Sequence, residues 1–262
     1  MAYACPRFVT GEFRPVDTYL KDEEYARSLD CLTKSVSDVL VLNDSGTSVF
    51  LGKRIAEPQP DWWMIGGRAR PSESPHEAAA RNARRELGLE CLPPSRFRVI
   101  GHYSFAWATR EQDPGSRNGT ADASTVFSLR LRPEETSAIK LDPKEYSGGQ
   151  WWDLEDILAA ETPSSDAATG ASRAKDLNMF HPALRRAILD HRRESHFRDL
   201  QRAVRKGADD AEVALIARKM IQEWRFMPDT CKVFTTQSSS GSYEDKYVLY
   251  TGSAFSSDAA SS

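Results

Sequence analysis

The segment Gly66–Leu89, GGRARPSESPHEAAARNARRELGL, sets acids, an arginine and glycines at spacings that can do chemistry. Glu73 and Arg81 are placed to reach each other across a loop and form a charge-assisted pair that ties it down. Gly67 permits a close backbone turn, and Gly88 supplies a left-handed helix end. Positions 82, 85 and 86 fall at i, i+3 and i+4 and share one helix face. Carboxylates on such a face can coordinate a hard divalent cation such as magnesium, which takes oxygen ligands. Here only Glu86 is a carboxylate; Asn82 and Arg85 hold the other two positions, and an inward-pointing Arg85 would repel the ion. The face therefore suits a single Mg2+, with Mn2+ as the substitute, or no metal at all.

These residues need a strand before them and a helix under them. Trp62 to Ile65 reads as that strand. Ser74 suits the helix N-cap, with Pro75 at the first helical position and Glu77 three residues after the cap. Upstream, Val36 to Leu42 and Thr47 to Leu51 flank the turn NDSG and form a hairpin, preceded by a short covering helix over 21–32. Downstream, Arg96 to Ala108 and Ser124 to Leu131 read as strands, separated by the polar loop REQDPGSRNGTADA, a candidate substrate lid. Trp151 and Trp152 open another short strand, and Leu154 to Ala159 is a brief helix.

ETPSSDAATGAS is a small-residue linker. Beyond it, Ala183 to Val204 and Asp210 to Trp224 carry apolar residues at helical spacing. The first of these helices is rich in arginine, but Asp190, Glu194 and Asp199 interrupt the run, as on a solvated face. The Ser-rich end reads as a mobile tail around one strand, KYVLY. The resulting division is an extension with a short helix over 1–33, a domain over 34–160, a linker over 161–174, a helical extension over 175–228 and a tail over 229–262.

With 262 residues, 40% hydrophobic and 28% charged, the chain can bury one ordinary core plus appendages. A net charge of -3 gives no reason to expect nucleic-acid or anionic-membrane partners. Four widely spaced cysteines without a CxxC pair suggest free thiols rather than a zinc knuckle or disulfide framework. The first residues lack the pattern of a secretory signal, and no apolar run matches a membrane helix. A cytoplasmic protein is the expectation. An exposed Met220 and Trp224 stripe would favour a homodimer.

The pattern from Gly67 to Leu89 resembles the Nudix box: Gly, five residues, Glu, seven residues, Arg-Glu, an apolar residue, any residue, Glu-Glu, any residue, Gly, apolar. Gly67, Glu73, Arg81, Ala83, Glu86, Gly88 and Leu89 match it, whereas Asn82 and Arg85 depart from it. Within that superfamily the chain is similar to GDP-mannose mannosyl hydrolases in FLGKR (Phe50 to Arg54), WxxGGR (Trp63 to Arg68), ELGL (Glu86 to Leu89), NGTAD (Asn118 to Asp122) and WxxxDxL (Trp152 to Leu158). The resemblance implies an α/β (α+β) fold, a Nudix-type α/β/α sandwich with a mixed sheet, carrying here a C-terminal helical extension.

It further implies that the Gly66 carbonyl and Glu86 bind magnesium, and that Arg54 and Arg68 neutralise the nucleoside-diphosphate leaving group, for which guanidinium forks are well shaped. In that subfamily a third ligand and a histidine come from the loop before the last tryptophan. Here that loop reads DPKEYSGGQWW, and Glu145 is its best acceptor, as metal ligand, as general base, or merely as an exposed carboxylate. Trp62 and Trp63 could stack a base, with one ring in the core; Tyr103 and Trp107 share that ambiguity. His76 reads as a surface residue and His102 as packed or hydrogen-bonded. The function implied is Mg-dependent hydrolysis of a nucleoside diphosphate linked to another moiety, a nucleotide sugar such as GDP-mannose. The alternative is a catalytically silent domain that binds a nucleotide or a protein partner.

Overall fold

A computed structural model of the chain describes residues 5–16, 18–58, 61–112, 118–159, 180–222, 230–237 and 243–250. It divides into two compact units, 1–154 and 155–262.

The first unit is organised around β1 (Lys34–Leu42), whose β-branched and leucine residues are buried from Ser37 onward. Such a run suits a strand covered on both faces. Along its whole length β1 pairs in parallel with β6 (Thr120–Arg130), from Lys34 opposite Asp122 to Leu42 opposite Arg130. Its other edge carries two antiparallel strands end to end: β2 (Ser48–Arg54) through Val41 and Leu42, and β4 (Ile65–Arg68) through Val36 to Val39. β5 (Arg98–Trp107) extends the sheet beyond β6, while β3 (Trp62–Trp63) and β7 (Tyr146–Asp153) both pair with β2. The result is a mixed seven-stranded sheet. α1 (Asp22–Cys31) precedes it, and the five-residue α3 (Pro133–Ser137) follows β6.

α2 (Pro75–Leu87) forms as its sequence dictates. The Ser74 hydroxyl accepts from the Glu77 amide at 3.3 Å, and the Glu77 carboxylate accepts the Ser74 amide at 2.7 Å. Gly88 closes the helix at φ 65°, which costs other residues strain. Ala79, Ala80, Ala83 and Leu87 pack against Val39, Val41, Phe127 and Leu129 of the sheet, the small alanines allowing close approach.

Four sequence expectations are corrected. The single strand expected over Trp62 to Ile65 is two, because the chain leaves the edge of β2 at Met64 and continues beside β1. The lid is shorter than expected: Thr120 to Ala123 belong to β6, their backbone groups paired with Ala106, Trp107 and neighbours. The loop before Trp151 is strand from Tyr146, held on β2 through Gly148 and Gly149. The tail contains a second strand that was not expected, β8 (Thr230–Gln237), which pairs antiparallel with β9 (Tyr243–Tyr250). The linker and Trp224 lie outside the described residues.

What remains of the lid is pinned at its base. The buried Arg110 donates to Asp30 of α1 at 2.8 Å and to the Gly119 carbonyl at 3.1 Å.

In the second unit, α4 (Leu154–Ala159) is tied to α5 (Pro182–Arg205) by an Arg192–Glu155 ion pair and by Arg185 donating to the Leu158 carbonyl. α6 (Asp210–Gln222) follows. The arginines of α5 are matched locally: Asp190 is buried between Arg186 and Arg193, each at 2.9 Å. That pairing neutralises much of the basic run. Among the described residues no helix is long and apolar enough to cross a membrane, and Cys5, Cys31 and Cys91 are free thiols.

Asp38 is a carboxyl inside the sheet, accepting from Ser124 Oγ at 2.6 Å. Burial pushes its pKa up to about 6, although the Ser124 hydrogen bond and the nearby Arg54 charge act the other way. The folded chain thus keeps a proton that the unfolded chain, with a carboxyl pKa of about 3.9, has lost, so stability falls as pH rises through that window. Asp38→Asn should abolish this loss, gaining on the order of 2–3 kcal/mol on wild type between about pH 4 and about pH 7 in urea titrations.

Candidate active site

The loop from Arg68 to Ser74 is fastened to α2 by one guanidinium. Arg81 grips Glu73 with two parallel hydrogen bonds, Nε to Oε1 at 2.6 Å and Nη2 to Oε2 at 2.8 Å. It also donates to the Arg68 carbonyl and to Asn82 Oδ1, at 2.8 and 2.7 Å. The Glu73 carboxylate accepts the Arg70 amide as well, and the Arg81 hydrogen bond above all holds its pKa below the usual range. Gly66 is fixed by crowding, since a Cβ there would lie 2.5 Å from Asp38 Oδ1 and 2.6 Å from the Ser37 carbonyl. The close approach is therefore at Gly66. The carbonyl of its neighbour Gly67 accepts from Asn82 Nδ2 at 2.8 Å.

Glu86 is fully buried on α2. In a helix adjacent side chains diverge, yet Arg85 curls back to place Nε 2.8 Å from Glu86 Oε1, with Nη2 on the same oxygen. Oε2 is buried with no hydrogen bond of ordinary geometry. Glu145, just before β7, approaches the same guanidinium at 3.8 Å. The two carboxylates expected to act together thus converge, and Arg85 stands between them. Burial raises the Glu86 pKa and the Glu145 charge adds to it, against the lowering by Arg85. Burial, then the Glu86 charge, likewise pushes the Tyr146 phenol above its ordinary range.

The acids offer oxygens for at most one hard cation. Glu86, beside the Tyr146 phenol, Glu145 and the Gly66 carbonyl are the oxygens the sequence puts forward for it. Among the described residues no three His, Cys, Asp or Glu side chains gather into a metal-binding group. A dication about 4 Å from the guanidinium would meet roughly 8 kcal/mol of repulsion at an effective dielectric constant of about 20. The fit therefore holds only with Arg85 turned outward, and half of its side-chain surface already faces solvent.

Arg54 lies on the β2 edge opposite Tyr146, its Nε buried without a hydrogen-bond partner. Arg68 is exposed and lies over the Tyr25 ring at 5.2 Å. Trp63 is only 3% exposed and stands edge-on to Phe105 and Trp107 at 5.6 and 5.7 Å. Both Trp62 and Trp63 are buried, where one had been expected to be. Partial exposure belongs instead to Tyr103, Phe105 and Trp107, the last two stacked at 5.1 Å. Phe105 was missed in sequence, although the alternation Tyr103, Phe105, Trp107 sets three rings on one sheet face. Below them Trp107 Nε1 donates to Asp122, which also pairs with Lys34 at 3.2 Å. His76 is half-buried against Phe127 rather than on the surface, and burial lowers its pKa. His102 meets Thr125 Oγ1 at 3.3 Å.

A mixed sheet, a box helix capped by Ser74 and Gly88, and a loop locked by Glu73 and Arg81 define the class. The model of the NUDIX domain matches residues 33–171. The chain therefore belongs to the Nudix family of hydrolases. Members of that family generally depend on a divalent metal ion. Two sequences from strains of Cereibacter sphaeroides, each named RNA pyrophosphohydrolase, are 28% identical over 148 residues, covering 52% of this chain and 88% of theirs. Among solved structures, a MutT protein from Methanosarcina mazei is 20% identical, with 62% of this chain and 95% of that one covered at a TM-score of 0.43. A NUDIX hydrolase from Nitrosomonas europaea is 19% identical, with 62% and 89% covered at a TM-score of 0.40.

Glu73→Gln should cost about 2–3 kcal/mol in chemical denaturation, because it removes the charge from a largely buried two-pronged pair and leaves Arg81 under-satisfied.

Proposed function

We propose that the chain hydrolyses a nucleoside diphosphate linked to another moiety, a nucleotide sugar such as GDP-mannose being the first candidate. The observation that carries this reading is the convergence of Glu86 and Glu145 beside the locked loop. A carboxylate within reach of water can serve as general base in hydrolysis at phosphorus or at a sugar carbon. Glu145, over a third exposed, is the candidate base for water. Arg54 and Arg68 are suited to the diphosphate oxygens, where a guanidinium fork offsets charge on the departing group. A magnesium ion, with manganese as substitute, would be held by Glu86 and the Gly66 carbonyl, with Glu145 as third ligand in the alternative in which it is not the base, and would supply further positive charge to the diphosphate. Tyr103, Phe105 and Trp107 offer aromatic surface for a base, with Trp63 supporting them.

The relatives named RNA pyrophosphohydrolase bring in a second substrate class, a pyrophosphate carried on RNA, which presents the same diphosphate chemistry on a nucleic acid. The net charge of -3 favours the small molecule. A silent nucleotide-binding domain is the contrasting reading, favoured by the position of Arg85 between the carboxylates.

Purified protein with magnesium should be offered nucleotide sugars, dinucleoside polyphosphates and 5′-triphosphorylated RNA. Turnover of a nucleotide sugar is expected, with Glu145→Gln and Glu86→Gln each lowering kcat by about a hundredfold or more. GDP with free sugar would mark attack at carbon, and GMP with sugar phosphate attack at phosphorus. Saturable nucleotide binding without turnover would instead establish the silent domain.

A further inference from the structure

We propose that Arg85 is the resident cation of this site: its guanidinium and a divalent ion compete for Glu86, so that the ion enters only when Arg85 swings outward. The inference deepens the hydrolase reading and rests on its assignment of Glu86 and Glu145 to one site.

Three observations carry it. Glu86 is fully buried, and a buried carboxylate demands a positive partner. Arg85 is the group that supplies one, reaching Glu86 Oε1 with two nitrogens although neighbouring helix positions point apart. The same guanidinium is within 3.8 Å of Glu145, so one cation already draws together the acids that would ligate an ion.

The competition is exclusive for a physical reason. An ion on Glu86 would share its carboxylate with a like charge at contact distance, and burial weakens the screening between them. Arg85 can yield without leaving a hole, because half of its side chain lies at the surface. Phosphate oxygens of a bound diphosphate would give the displaced guanidinium a new partner, so ligand and ion should enter together.

The test measures Mn2+ binding to the intact chain, without any nucleotide, from the loss of the free-ion electron paramagnetic resonance signal. Arg85→Gln should bind one Mn2+ at least tenfold more tightly than wild type, whereas Arg85→Lys, which keeps the charge, should gain little. Adding Glu145→Gln to Arg85→Gln should cancel the gain; adding Glu86→Gln should do the same, with circular dichroism checking that each variant folds. Equal affinity of wild type and Arg85→Gln, including no binding by either, overturns the proposal. So does a gain that survives loss of both carboxylates. Because the readout needs no turnover, a chain that hydrolyses nothing but gains Mn2+ in Arg85→Gln refutes the hydrolase reading alone. A chain that turns over with unchanged Mn2+ affinity refutes the competition alone.

Discussion

The guanidinium of Arg81 is the joint on which the functional part of the molecule turns. It binds both oxygens of Glu73, the Arg68 carbonyl and Asn82, and so joins loop, strand end and helix at one planar group. An ammonium could not replace it, because the geometry uses a flat fork with donors in fixed directions. With that joint made, the Gly66–Gly67 backbone lies along β1 and α2 packs on the sheet, and Glu86 of α2 shares the Arg85 guanidinium with Glu145, just before β7.

Much of this was legible in the residues. Ser74, Pro75, Glu77 and Gly88 announce the two ends of α2 through local hydrogen bonding and backbone freedom, and local signals of that kind survive folding unchanged. The Glu73–Arg81 pair was likewise readable, since its span is set by one loop and two helical turns. The strand ends were less so. Met64 marks a change of partner that depends on where β1 happens to lie, and Thr120 to Ala123 become strand because β5 is there to receive them. Their composition, polar and small, gives no hint of it.

Of the candidate site, the sequence named residues but not how they pair. Sequence spacing put positions 82, 85 and 86 on one face, and charge alone said that Arg85 opposes a metal. Whether a long side chain on a helix turns to solvent or back on its neighbour is a matter of burial, and Glu86 decides it here by being sealed from water. Trp63 illustrates the same limit: alternation along a strand names a face, but only the surrounding Phe105 and Trp107 show how little of that ring remains exposed.

Asn82 has a different consequence. Its amide does two opposite jobs, giving a hydrogen to the Gly67 carbonyl and taking one from Arg81. A carboxylate can only accept. Restoring an acid at this position would therefore strip the Gly67 carbonyl of its donor, whereas an acid in place of Arg85 would disturb no part of the loop. The two departures from the box are unequal in reversibility: one is woven into the backbone, and the other hangs from it.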